Sequence, residues 1–179
     1  MATNSAAAQV LLSQVVDRWQ ARLRIIGLIE EPPAGVDACT PGTLVSIEDG
    51  RRFPIGQDLG CGAQGCTLDS AAVVEAGHWL TDRIVQGRIA QEPCDLLIVN
   101  KFGKLEAESG GGLTAPLTAA VDLEIPVLLV VPARFQDAWA DFAGDLAQSL
   151  PPDLASIEAW LSAGMTCRGP SPMAVDRTV

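Results

Sequence analysis

The chain has 179 residues, 48% of them hydrophobic, which is enough for one domain with a real core. Twelve basic residues against 22 acidic ones give a formal charge of −10, which argues against a nucleic-acid or anionic-membrane surface. No apolar stretch approaches the roughly 20 residues that span a bilayer, and Met1 to Ala8 lacks the features of a secretory signal, so a cytoplasmic protein is expected.

Residues 6–22 carry Leu11, Val15 and Trp19 at four-residue steps, with Asn4 or Ser5 as a cap, and predict an amphipathic helix. Leu23 to Ile29 follows as a short apolar strand, ended by Glu30-Glu31-Pro32-Pro33, and residues 32–42 read as a loop. Leu44 to Ile47 and Phe53 to Ile55 flank a polar link with Asp49-Gly50 at its centre, a strong hairpin signal. Four glycines then fall between Gly56 and Cys66, and Asp69 stands as the N-cap of a helix running to about Gly87. Val73, Ala76, Leu80 and Ile84 make the apolar face of that helix.

Leu96 to Asn100 ends an apolar run of leucine and β-branched residues between Pro93 and Gly103, the pattern of a strand buried on both faces. A short helix is expected from about Leu113 to Leu123 and another buried strand at Val127 to Val131. Phe135, Trp139, Phe142 and Leu146 make the stripe of a further helix, and Leu154, Ile157 and Leu161 that of a last one. Residues 1–163 thus read as a single domain, and 164–179, rich in Pro, Gly, Arg and Ser without period, as a disordered tail. Alternating helix and short apolar strand point to an α/β fold of three layers, with a mostly parallel sheet and an inserted β-hairpin.

Ligands of open α/β sheets bind outside the carboxyl ends of the strands. The strand at 96–100 ends in Asn100, Lys101, Gly103, Lys104 and Glu106, which makes that end the candidate site. Lys101 and Lys104 are placed to grip a phosphate or oxyanion, or else are solvated on an exposed loop. Glu106 is a site carboxylate or the ion-pair partner of a neighbouring lysine. Gly60, Gly62 and Gly65 form either an anion-binding nest of N–H groups, continued by Cys66, or a tightly turned connector. Asp69 is weighed as a cap against a ligand, with the cap favoured.

The five cysteines, Cys39, Cys61, Cys66, Cys94 and Cys167, do not suggest a disulfide framework and read as reduced thiols. Cys61 and Cys66, five apart with no nearby histidine, are a poor zinc pair, so no metal site is assigned. The single histidine, His78, falls in a predicted helix and gives no catalytic triad.

Val99-Asn100-Lys101-Phe102-Gly103-Lys104-Leu105-Glu106 resembles the second acidic motif of small P-loop nucleoside triphosphatases, where the strand ends in Asp-Glu followed by Ile-Gly-Lys-Met-Glu. Gly103, Lys104 and Glu106 match, whereas Asn100 and Lys101 replace the two acids that hold magnesium and activate water. No G-x-x-x-x-G-K-[ST] string is present to cradle phosphates. The chain also opens on a helix with no strand ahead of it, so the expectation is a missing first strand, lost or upstream of Met1.

A closer resemblance covers residues from about 10 to 162 and is to the bacterial domain-of-unknown-function family 2478, whose members are often encoded near molybdenum-uptake genes. It rests on Gln57-Asp58-Leu59-Gly60, Gly65-Cys66-Thr67-Leu68-Asp69 and Asp95 to Glu106. Where that family has Cys-Arg-Leu-Asp, this chain has Thr67 in place of the arginine, which weakens an anion site there. The resemblance implies a P-loop-NTPase-like fold without an established activity or a known cofactor. The expected function is a degenerate P-loop-like binding protein for a small anion or nucleotide, linked to molybdenum metabolism and without catalytic residues. The alternatives are a nucleotide hydrolase or phosphotransferase using Lys101, Lys104 and Glu106, and an accessory module whose old site is vestigial. The expected partners are a small anion or nucleotide and a protein partner or second copy, with no nucleic acid and no membrane.

Overall fold

The computed structural model describes residues 5–31, 42–57 and 68–165. In chain order these form α1 (Ser5–Trp19), β1 (Ile25–Glu31), β2 (Thr43–Ser46), β3 (Arg52–Pro54), α2 (Ser70–Ile89) and β4 (Leu96–Lys101). After them come α3 (Lys104–Ser109), α4 (Thr114–Asp122), β5 (Val127–Val130), α5 (Gln136–Ala143) and α6 (Leu154–Met165). Short 3₁₀ turns at Ala133–Phe135 and Gly144–Leu146 bracket α5.

The five strands make one sheet in the order β3-β2-β1-β4-β5. β1 pairs with β4, and β4 with β5, in parallel, while the β2–β3 hairpin adds to β1 antiparallel. Four strands therefore point one way and only β2 runs against them. Period-two alternation sends the sheet's side chains to two cores. Ile26, Leu28, Leu97 and Val99 face a core closed by α2 and α4 through Val73, Ala76, Leu80, Ile84, Leu117 and Ala120. Ile25, Leu96, Ile98 and Leu128 face a second core closed by α1 and α6 through Leu12, Val15, Trp19, Ile157 and Leu161. Helices thus cover both faces, as right-handed crossovers require. Each fully buried Ile or Leu contributes about 1.5–3 kcal/mol of transfer free energy.

Two joints set the geometry of this frame. Gly27 lies opposite Ile98 in the parallel pair, and a Cβ there would be driven into the Ile98 carbonyl oxygen. α2 and α4 both end in Schellman turns: Glu92 N–H donates to Gly87 O and Ile125 N–H to Ala120 O, each at 2.8 Å. The left-handed position of each turn is held not by glycine but by Gln91 (φ 61°) and Glu124 (φ 55°).

The structure differs from the sequence expectation in four places. β1 continues through Glu30 and Glu31 because both extend the pairing with β2, opposite Leu44 and Thr43. Lys104 to Ser109 is helical, not a loop. The Phe135–Leu146 stripe is not one helix, because Gly144, at φ 52°, ends α5 and only a 3₁₀ turn follows. Gly164 and Met165 complete α6, whereas the tail expectation for 166–179 lies outside the described residues.

Candidate functional site

β1 and β4 end side by side, and their last residues form one cluster. The register between β4 and β5 slips between Val99 and Lys101, so Asn100 is the extra residue of a bulge. Such an insertion re-aims the side chain. Asn100, only 3% exposed, meets β1: its Oδ1 accepts from the Glu30 N–H at 3.4 Å and its Nδ2 donates to Glu30 Oε2 at 2.9 Å. Lys101 Nζ donates to the same Oε2 at 2.8 Å, and Gln9 Nε2 from α1 lies 3.3 Å from it. The other oxygen, Oε1, accepts the backbone N–H of Gly42 at 3.2 Å, which fixes the start of β2.

Glu30 is thus the hub of the cluster. Burial by itself raises its carboxyl, but the Lys101 ammonium, the Gly42 N–H and the Asn100 amide outweigh burial and hold it below the usual carboxylate range. One carboxylate faces one ammonium, and the neutral amide fills the remaining bonds. The cluster is close to neutral and internally satisfied.

Glu106 is committed elsewhere. Gly103 is the N-cap of α3, and Glu106, 8% exposed on the first turn, takes the Gly103 N–H on Oε2 at 2.8 Å. Its Oε1 takes the N–H of Leu113, the residue ahead of α4, also at 2.8 Å. Gly112 makes room: it sits at φ 62°, and a Cβ there would strike Glu106 Oε1. The carboxylate is spent on two backbone donors.

Lys104 projects from α3, more than half exposed, with Glu108 Oε2 at 3.8 Å as a loose i,i+4 companion. Such a pair is worth only about 0.3–0.5 kcal/mol. Of the two lysines singled out at this strand end, Lys104 is the one whose head group is not drawn into the Glu30 cluster. Asp69 caps α2, accepting from Ala71 N–H at 3.0 Å and Ala72 N–H at 3.1 Å.

Gly60, Gly62, Gly65 and Cys66 lie outside the described residues, as do Cys39, Cys61 and Cys167. Their flanks are fixed: Gly56 bridges Leu68, and Asp69 N–H donates to Ile55 O at 2.8 Å. These flanks follow β3, three strands from β4, so the base of that segment stands about 14 Å from β4 at ordinary strand spacing. Asn100 and Lys101 are brought together with Glu30, a residue that the sequence reading assigned only to a strand end, whereas Gly103 and Glu106 bond to each other at the start of α3. The signal available was an acid at the carboxyl end of a strand beside β4, in the place where such sheets bind ligands.

The chemistry open to this arrangement is limited. An amide is no general base, Lys101 is ion-paired with the Glu30 carboxylate, and both Glu106 oxygens are bonded. Among the described residues, no group of three His, Cys, Asp or Glu side chains is arranged to hold a metal ion. Cys94 is buried, and desolvation pushes its thiol up to about 11, so it is not a nucleophile. His78 is an exposed residue of α2.

No solved structure matches this chain. It is 36% identical over 145 residues to the Molybdenum import ATP-binding protein ModC 2 of Bradyrhizobium diazoefficiens, a match that covers 80% of this chain. The same match spans only 15% of that relative's length. Residues 1–160 match the family described as Protein of unknown function (DUF2478), and the chain belongs to that family.

Proposed function

We propose that this protein is a non-hydrolysing, P-loop-like binding domain that serves molybdenum uptake and takes a nucleotide or small oxyanion at the carboxyl end of β4. The observation that carries the reading is the Glu30–Asn100–Lys101 cluster. At the strand end where P-loop hydrolases keep two acids, these side chains neutralise one another and leave no base and no anionic oxygen for magnesium. The similarity to an ATP-binding protein of molybdenum import supports both the ligand class and the setting. Lys104, exposed and loosely paired, is the cation that would meet the ligand. The internally satisfied cluster equally favours a second reading, an accessory module that acts through protein contacts.

Two measurements test this. Phosphate release from ATP or GTP with magnesium should stay at background, and turnover above about 1 per second would overturn the non-hydrolysing reading. Asn100→Asp with Lys101→Glu should not restore turnover, because the chain carries no phosphate-loop string. ATP, phosphate or molybdate at millimolar concentration should raise the melting temperature, since a ligand that binds only the native state stabilises it. Lys104→Ala should abolish that rise. No rise with any of them would leave the accessory-module reading.

A further inference from the structure

We infer that the arm from Gln136 to Leu146 is a docking face for a basic amphipathic helix of a partner protein. None of the α5 residues is buried. The arm rests on the sheet's core through Phe135, Ala138 and Trp139 and through rings packed against Phe102, Trp139 edge-on at 5.2 Å and Phe142 tilted at 5.6 Å between centroids. The apolar surface of the arm reaches solvent at its far end: Phe142, though packed on Phe102, is 44% exposed, and Leu146 is 75% exposed, the highest among the exposed large hydrophobic residues described. Single exposed apolar residues are ordinary, but two within five residues of one thinly anchored arm, Phe142 before the Gly144 break and Leu146 after it, make a ridge that a helix can cover.

The charge beside that ridge specifies the occupant. Asp137, Asp141 and Asp145 are exposed along the same arm, and none of them forms a salt bridge among the described residues. From Gln136 to Gly164 the chain has five acids, adding Asp153 and Glu158, and no lysine, arginine or histidine. Half of the formal charge of −10 therefore sits in 29 consecutive residues. Nucleic acid and anionic lipid are repelled by such a surface, and a second copy would bring the same acids to its own ridge. A helix with an apolar stripe flanked by lysines or arginines answers both the ridge and the charge. This inference does not depend on the ligand proposed at β4.

The test uses the full chain and a fluorescent peptide of leucine and lysine, about 18 residues long, with apolar positions at i, i+3, i+4 and i+7. By anisotropy at about 0.15 M salt, the wild type should bind it more tightly than a scrambled peptide of the same composition, and more weakly as salt rises. Asp137→Lys with Asp141→Lys and Asp145→Lys should weaken binding at least about tenfold. Phe142→Ser with Leu146→Ser should do the same. The charge-matched set Asp17→Lys, Asp82→Lys and Asp122→Lys should stay within about twofold of wild type. If the lysine set on the arm does not fold, the corresponding three Asp→Asn changes carry the same expectation. Equal losses in both charge sets, equal binding of the scrambled peptide, or self-association of the wild type that the Phe142 and Leu146 changes remove would each overturn the inference.

Discussion

The carboxylate of Glu106 closes on the backbone N–H of Leu113 at 2.8 Å, and so ties the first turn of α3 to the entrance of α4. With its other oxygen on Gly103 N–H, one side chain spans the connection between β4 and the second parallel crossover. A residue that resembles a site carboxylate by position works here as a brace.

Removing that brace should be costly. Hydrogen bonds to a charged group are worth about 1.5–3 kcal/mol each, and Glu106→Ala leaves two backbone donors without partners. Urea unfolding should show a loss of about 3–5 kcal/mol. Glu106→Gln keeps one acceptor oxygen and should lose about half as much. A loss below about 1 kcal/mol for the alanine variant would contradict the role given to Glu106.

Glu30 predicts the acid limb of the stability curve. Its folded carboxyl lies below the ordinary value of 4.5, so the unfolded chain binds its proton first as pH falls. The resulting stabilisation is complete above about pH 5 and is lost progressively as pH drops through 4.5 and then through the lower folded value. Glu48, held below its ordinary value against burial by Arg83 and Arg24, adds in the same direction. Denaturant midpoints measured from about pH 6 to pH 3 should fall less steeply for Glu30→Gln than for wild type. Parallel curves would show that the Glu30 cluster carries no such linkage.

Gly27→Ala should break the sheet at its parallel centre. The added methyl meets the Ile98 carbonyl oxygen, which is backbone and cannot rotate away. A destabilisation of about 3 kcal/mol, at the upper end of overpacking costs, is expected from thermal or urea unfolding. A near-neutral Gly27→Ala would mean that β1 and β4 lie farther apart than their register requires.

Gln91→Gly should act the other way. A side chain in the left-handed region costs about 1–2 kcal/mol, and glycine is the usual occupant of that position in a Schellman turn. Allowing for the greater freedom of glycine in the unfolded chain, a gain of up to about 1 kcal/mol is expected, read as a higher urea midpoint at unchanged slope.

Much of the frame was legible because local chemistry decides it. The apolar runs behind β1, β4 and β5, the Asp49-Gly50 turn and the Asp69 cap each state their own structure within a few residues. Glu30 as a hub was not legible. Its bonds to Asn100 and Lys101 need a bulge in β4 and the alignment of strands about 70 positions apart, neither of which leaves a local pattern. α3 was hidden because it is only six residues long between Gly103 and Gly110, and the bond that ties its buried Glu106 to Leu113 leaves no local pattern. The arm around α5 misled by its four-residue stripe, which Gly144 cuts before Leu146 can reach the core.

The parallel pairing of β1 with β4 also sets the tempo of folding. Arg24 N–H reaches Asp95 Oδ2 across 71 positions, and the strands that begin beside them can zip only after the hairpin and α2 have been gathered in. Closing so long a loop gives no return until both strands are in register, so the barrier is mainly entropic. The β2–β3 hairpin and α2 are the local units that can form early; the cores on the two faces of β1 and β4, Ile26, Leu28, Leu97 and Val99 on one side and Ile25, Leu96 and Ile98 on the other, must arrive late and together. Refolding on the millisecond-to-second scale of non-local topologies follows, with the β1–β4 seam as the step that commits the chain.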